Sequence, residues 1–108
     1  MEIHPTAIVA KEAELAEGVS IGPYSVVGPR VKIGANTQIH SHVTIEGETE
    51  IGPECRLFPG VVLGTSPQDR KDEPYGRGRL IIGARNILRE YVTIHPGTHH
   101  GGGLTQVG

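Results

Sequence analysis

Aliphatic residues recur at every sixth position over the first 63 residues of the chain. Steps of six from Ile3 reach eleven of them without a gap: Ile3, Val9, Leu15, Ile21, Val27, Ile33, Ile39, Ile45, Ile51, Leu57 and Leu63. A helix would repeat its apolar residues every three or four positions, and a half-buried strand every two. A period of six is typical of hexapeptide repeats and predicts an all-β parallel β-helix, with one hexad per face and three hexads per triangular coil.

Two further series run in phase with the aliphatic one. The residue four places after each aliphatic residue is small or β-branched: Ala7, Ala13, Val19, Ser25, Val31, Thr37, Val43, Thr49, Cys55 and Val61. We expect both series to point inward, with the large side chains on the axis and the small ones near the corners. Five of the residues that directly follow an axis position are glycines: Gly22, Gly28, Gly34, Gly52 and Gly64. We expect these glycines to permit a backbone conformation that a Cβ disfavours.

The stretch AKEAELAEG, residues 10–18, allows a second interpretation. It is rich in helix formers, and its charges are spaced as in helical pairs. Ala13 and Leu15 nevertheless keep the six-residue phase. We therefore predict a further part of the coil here rather than a helix.

The phase breaks twice in the second half of the chain. Leu63 and Ile82 are nineteen residues apart, one more than three hexads, and the stretch between them is charged and without apolar periodicity. Ile94 and Val107 are thirteen apart, one more than two hexads, with three glycines between them. We predict one β-helix domain over 1–108, with an inserted loop at about 65–80 and a smaller one at about 96–105. Insertions in repeat proteins often form the binding face.

Composition excludes several function classes. The net charge is -2, and the sequence pI is about 6.3, so nothing favours nucleic acid or an acidic membrane surface. No apolar run is long enough to span a bilayer, and the single cysteine, Cys55, has no partner within the chain for a disulfide. We expect a cytoplasmic protein without membrane insertion and assign Cys55 to the core.

Three stretches are more specific than the repeat itself: PQDRK at 67–71, IGARNILREYVTIHPGT at 82–98, and GGGLTQVG at 101–108. In these stretches the chain resembles the UDP-N-acetylglucosamine O-acyltransferases that begin lipid A synthesis. The resemblance implies a left-handed β-helix and a homotrimer with active sites between subunits. It also implies transfer of an (R)-3-hydroxyacyl chain from acyl carrier protein to the sugar 3-hydroxyl, with no metal or bound cofactor. It covers about the first two fifths of a family member, so we expect a truncated chain without the C-terminal coils and helical domain.

The resemblance also implies roles for single residues. Gln68, Asp69 and Lys71 match the family's substrate-contacting motif, and His95 matches an active-site histidine. The general-base histidine of the family is expected beyond Gly108, and a positioned base contributes about 10²- to 10⁴-fold in rate. We therefore predict that the 108-residue chain alone is inactive or nearly so. Judged by residue type alone, the loop is better interpreted as a solvated surface with ordinary charges, and only the resemblance favours substrate contact. The alternative for His95 is a corner histidine that bonds backbone.

Three other functions remain open on the sequence. One is another hexapeptide-repeat sugar acyltransferase. A second is a γ-type carbonic anhydrase, for which His40 and His42 would be the candidate zinc ligands. A third is a noncatalytic solenoid that serves assembly. Arg70 and Asp72 stand where the family has an apolar and an aromatic residue, so the identity of the acyl donor also stays open.

Overall fold

The computed structural model describes residues 1–65, 79–95 and 104–108, without the side chains of Leu104 and Thr105. These ranges contain fifteen short strands and no helix. No segment among them forms a helix long and apolar enough to cross a membrane. Residues 10–18 contain the strand Glu14–Leu15, so the interpretation of this stretch as part of the coil is confirmed.

The strands form three parallel five-stranded sheets, which are the faces of a triangular coil. Every third strand along the chain belongs to the same face. The first face contains β1 (Glu2–Ile3), β4 (Ser20–Ile21), β7 (Gln38–Ile39), β10 (Arg56–Leu57) and β13 (Ile87–Leu88). The second contains β2 (Ile8–Val9), β5 (Val26–Val27), β8 (Thr44–Ile45), β11 (Val62–Leu63) and β14 (Thr93–Ile94). The third contains β3 (Glu14–Leu15), β6 (Val31–Ile33), β9 (Glu48–Ile51), β12 (Arg79–Ile82) and β15 (Leu104–Val107).

The register between neighbouring strands gives the length of each coil. Ile21 pairs with Ile39, so a regular coil takes eighteen residues, which is three hexads. Ile51 pairs with Ile82, thirty-one residues later, so this coil holds thirteen extra residues. Ile82 pairs with Val107, twenty-five residues later, and that coil holds seven extra. Each interrupted connection therefore advances the chain by one face only.

Both predicted inward series form the core. The axis residues from Ile21 to Leu63 and the small series from Val19 to Val61 are buried, and Leu80, Ile82 and Leu88 continue them. Cys55 is fully buried, as predicted. Axis residues of the first coil are less covered, and Ile3 is 43% exposed. The three buried hydroxyl residues, Ser25, Thr37 and Thr49, each donate a hydrogen bond to a backbone carbonyl, so their polar groups are satisfied inside the coil.

The expectation for the glycines that follow axis residues was wrong for four of the five. Only Gly64 has a left-handed backbone, with φ +77°. Gly22, Gly34 and Gly52 instead lie against the backbone of the next coil, where a Cβ would meet it at 2.5–2.8 Å. Gly28 has ordinary space around its Cβ position. Glycine is needed at three of these corners for close approach of stacked backbones rather than for an unusual φ.

The left-handed conformation occurs instead three residues after an axis position, mostly on residues with side chains: Tyr24, Asn36, His42, Glu54, Arg85 and Tyr91. These residues lie at two corners, between the third and first faces and between the first and second. At both corners the amide of the left-handed residue can bond the preceding coil, as when His42 N donates to Pro23 O at 3.0 Å. The strain of each such residue, about 1–3 kcal/mol, is held in place by this stacking.

Candidate functional site

The two register breaks begin at the same corner of the coil. β11 and β14 are neighbours on the second face, with Leu63 paired to Ile94. The chain leaves the repeat after each of them, and in both cases it next joins the third face. The two predicted insertions therefore start one above the other, at the corner between the second and third faces. Residues 66–78 and 96–103, which contain most of both insertions, lie outside the described residues.

The start of the first insertion is closely packed. Gly64 is buried, and its amide donates to the carbonyl of Ile94 at 2.9 Å. A Cβ on Gly64 would collide with the carbonyl of Glu46 and the hydroxyl of Thr49. The left-handed φ and this crowding together restrict the position to glycine. The backbone at Gly64, directly before Thr65, is therefore held in place by the core beneath it.

His95 lies at this corner, directly after the axis residue Ile94. Its ring is exposed, and its Nδ1 lies 3.0 Å from the backbone oxygen of Thr65. A carbonyl oxygen can only accept a hydrogen bond, so Nδ1 carries the proton and donates it. In the neutral ring Nε2 is then unprotonated and is left as a hydrogen-bond acceptor. The predicted site histidine is thus tied to the start of the predicted substrate loop.

Gln68, Asp69 and Lys71 fall within 66–78, outside the described residues, and their role stays a prediction. The described residues that flank them are Thr65 at the corner and Arg79 at the start of β12. Sequence reasoning missed Thr65 as part of this site. The sequence did contain a signal, namely its position. Thr65 is the second residue after Leu63, the last axis residue before the six-residue period is interrupted.

His40 and His42 do not converge on a common point. The His40 ring stacks on Phe58 of the next coil, with centroids 4.8 Å apart and planes at 12°. The His42 ring instead contacts Tyr24 of the preceding coil, at 5.2 Å and 32°. Because the rings turn toward opposite neighbours, they cannot chelate one ion together. Across 1–65, 79–95 and 104–108 no three His, Cys, Asp or Glu side chains form a group that could hold a metal.

Arg89 and Glu90 form an exposed ion pair with Nε and Oε1 3.2 Å apart. A hydrogen bond from the backbone of Glu90 lowers the pKa of its own carboxyl, and the charge of Arg89 lowers this pKa further. The Arg89 guanidinium also lies 4.4 Å from the centre of the Phe58 ring. These contacts extend the His40–Phe58 stack by one coil, at the corner between the first and second faces rather than at the corner where the insertions begin.

Comparison with known families identifies the class of protein. The chain matches the family described as bacterial transferase hexapeptide (six repeats) at residues 12–47 and 30–65. Together these stretches cover half of the chain, and the chain belongs to this family of hexapeptide-repeat transferases.

Within this class, three similar proteins carry the same activity in their names. The acyl-(acyl-carrier-protein)–UDP-N-acetylglucosamine O-acyltransferase of Thermodesulfovibrio yellowstonii is 49% identical over 99% of this chain and 41% of its own length. The protein of the same name from Syntrophobacter fumaroxidans is 47% identical, over 100% of this chain and 42% of its own. The solved UDP-N-acetylglucosamine acyltransferase of Francisella novicida matches with a TM-score of 0.92 at 40% identity, over 98% and 38%. The chain thus spans about two fifths of these relatives.

These matches confirm the resemblance that the motifs indicated. They also confirm the fold class, since the parallel three-face coil corresponds to the left-handed β-helix of these enzymes.

Proposed function

We propose that this chain is the amino-terminal part of an acyl-acyl-carrier-protein-dependent UDP-N-acetylglucosamine O-acyltransferase. The reaction would move an (R)-3-hydroxyacyl chain from acyl carrier protein to the sugar 3-hydroxyl, as the first step of lipid A synthesis. The observation that carries the proposal is the corner where both insertions begin, with His95 bonded to Thr65 across neighbouring coils. The high identity to enzymes of this name over nearly all of the chain supports it.

In this proposal the sugar nucleotide binds beside that corner. Asp69 would accept hydrogen bonds from sugar hydroxyls, Gln68 would fix orientation, and Lys71 would offer charge to an anionic nucleotide or carrier. The unprotonated Nε2 of His95 would accept a hydrogen bond from a substrate hydroxyl. The general base would be a histidine beyond Gly108. The domain would be one β-helix over 1–108 with inserted loops at about 65–80 and 96–105.

A homotrimer is the second part of the proposal, and the second face supports it. Its outward column contains no charged residue: Ile8, Val26, Thr44, Val62 and Thr93. Beside this column, Tyr24 and Tyr91 are 62% and 82% exposed, and Ile8 itself is 67% exposed. A large uncharged patch of this kind is unusual on a surface that faces only water. A second copy seated here would form a cleft bordered by His95, which follows β14 of the same face.

An acyl-transfer assay tests the proposal. The protein with its full sequence beyond Gly108 is expected to acylate UDP-N-acetylglucosamine from a 3-hydroxyacyl carrier protein. The 108-residue chain is expected to be about 10²- to 10⁴-fold slower, because it lacks the base. Preference for a coenzyme A donor would point to another sugar acyltransferase, and zinc-dependent CO₂ hydration to a carbonic anhydrase. Failure of the full-length protein with every acyl donor would favour a noncatalytic assembly role.

A cytoplasmic location is also part of the proposal. It is supported by the free, fully buried thiol of Cys55, which is usual for a reducing compartment. Cell fractionation with an antibody against the protein would test the location directly.

A further inference from the structure

The corner that carries His95 differs from the other two corners in its backbone bonding. At those two corners, five backbone hydrogen bonds of one kind join successive coils. In each of them, the carbonyl of the residue two places after an axis position accepts from a backbone amide of the next coil. The acceptors are Glu17, Pro23, Ala35, Pro53 and Pro59, and the donors are Asn36, His42, Glu54, Arg85 and Tyr91, respectively. These bonds join successive coils where the chain turns. Among the described residues, the corner between the second and third faces has no backbone bond of this kind.

Thr65 occupies the equivalent place at the third corner, two residues after the axis position Leu63. Its carbonyl accepts from the imidazole of His95 instead of from a backbone amide. His95 belongs to the next coil, so the side chain makes the link between coils that backbone makes elsewhere. Thr65 is the last described residue before the 66–78 segment, so the link is made immediately before that segment.

We propose that His95 is a positioning residue, whose Nδ1–H holds the carbonyl of Thr65, the residue from which the substrate-contacting loop of the proposed function begins. The inference rests on the proposed function, because that function places substrate-contacting side chains in this segment. It goes further in one respect: the main contribution of His95 is made through Thr65 rather than through its own contact with substrate. The bond needs only the proton on Nδ1, so it persists when Nε2 becomes protonated.

Two substitutions distinguish the role of Nδ1 of His95 from that of Nε2. In His95→Asn the amide NH₂ takes approximately the place of Nδ1 and can still donate to Thr65, while the Nε2 end is removed. In His95→Gln the amide lies one bond further out, near the place of Nε2, and the short contact to Thr65 is lost. The measurement is kcat and KM for UDP-N-acetylglucosamine in the full-length protein. We expect KM within about threefold of wild type for His95→Asn and about tenfold higher for His95→Gln, as for one lost hydrogen bond.

Any other pattern overturns the positioning role. A normal KM in His95→Gln with a raised KM in His95→Asn would assign the histidine to direct substrate contact through Nε2. Equal losses in both variants would mean that the intact ring itself is required. If both variants behaved like the wild type, the hydrogen bond from His95 to Thr65 would have no effect on function.

Two measurements test the inference even if acyl transfer fails. In protein labelled with ¹⁵N-histidine, the nitrogen shifts of the neutral His95 ring should show the proton on Nδ1 rather than on Nε2. A proton on Nε2 alone would contradict the bond. Hydrogen exchange of the peptide that contains Gly64 and Thr65, followed by mass spectrometry, should be about tenfold faster in His95→Gln than in His95→Asn. Equal exchange in the two variants would refute the positioning role independently of the proposed reaction.

Discussion

The second and third faces of the coil have inner columns of the same kind and outer columns of different kinds. Inside, both faces present aliphatic axis residues, such as Ile45 on the second and Ile33 on the third, and both are buried. Outside, the second face is uncharged from Ile8 to Thr93. The outer column of the third face is Glu14, Lys32, Glu50, Ile81 and Gln106.

The charges of the third face alternate in sign from coil to coil. Lys32 Nζ lies 3.8 Å from a carboxylate oxygen of Glu14 and 3.9 Å from one of Glu50. In a parallel column beside it, Arg79 pairs with Glu48 at 3.9 Å. In-register parallel strands place equivalent residues side by side, so like charges would repel and alternating charges attract. This arrangement suits a surface exposed to water.

The difference between the two faces shows that the inner and outer positions of the hexad have separate roles. The inner positions specify the coil, because every face needs one large and one small inward residue. The outer positions have no such requirement, so the residue types found there can differ between faces with what each face contacts. We therefore interpret the uncharged second face as the surface for another copy and the third face as the solvated one.

The largest expected effect comes from placing a charge on the second face. Val62→Lys would bury an unpaired ammonium group in the proposed subunit contact, at a cost of about 3–5 kcal/mol per interface. We expect the full-length protein to change from trimer to monomer in sedimentation velocity at micromolar concentration.

The control for this variant is Ile81→Lys on the third face. Ile81 is half-buried like Val62, and its neighbour in the column is Glu50, so a lysine here extends the alternating ladder. The Ile81→Lys protein should remain a trimer. Dissociation of Ile81→Lys, or an intact trimer with Val62→Lys, would contradict the assignment of the two faces.

Much of this comparison could be predicted from residue order alone. The period of six located Val27, Ile33 and Ile39 on three successive faces, and β5, β6 and β7 confirm this. The outward residues of each face then follow, since they directly precede the axis positions. The use of each face could not be predicted, because an uncharged outer column favours contact with a partner but does not identify the partner.

The next prediction concerns the corner between the second and third faces. Gly64 lies there with a left-handed φ and no room for a Cβ, whereas Gly28, two coils earlier at the same corner, has ordinary space. We expect Gly64→Ala to lower the free energy of unfolding by about 2–4 kcal/mol, from strain and overpacking together. Gly28→Ala should change it by less than about 1 kcal/mol. Urea unfolding followed by circular dichroism measures both, and similar midpoints for the two variants would disprove the distinction.

The sequence did not distinguish these two glycines, because both directly follow an axis residue. The difference depends on the chain path at the corner, where Gly64 precedes the first insertion and Gly28 precedes a regular turn. The number of faces that the chain crosses at the insertion could not be predicted either, for a physical reason. Between Leu63 and Leu80 no aliphatic residue marks the faces, so residue spacing alone cannot show that the chain advances by only one of them. The Thr65–His95 bond joins residues thirty positions apart, and no sequence period connects them.

The smallest expected effect concerns the ion pairs of the third face. Lys32 is more than half exposed, as are the two glutamates it contacts, so solvent and salt screen both pairs. Exposed pairs of this kind contribute about 0–1 kcal/mol each. We expect Lys32→Gln to lower the urea midpoint slightly at low ionic strength and not measurably in 1 M salt, with the trimer intact in both conditions. Thr44→Gln, at the equivalent outward position of the second face, is the matched variant and should weaken the trimer at either salt concentration, because its effect is steric rather than electrostatic. A large, salt-independent loss of stability in Lys32→Gln would mean that the third face is covered as well, and the contrast between the two faces would fail.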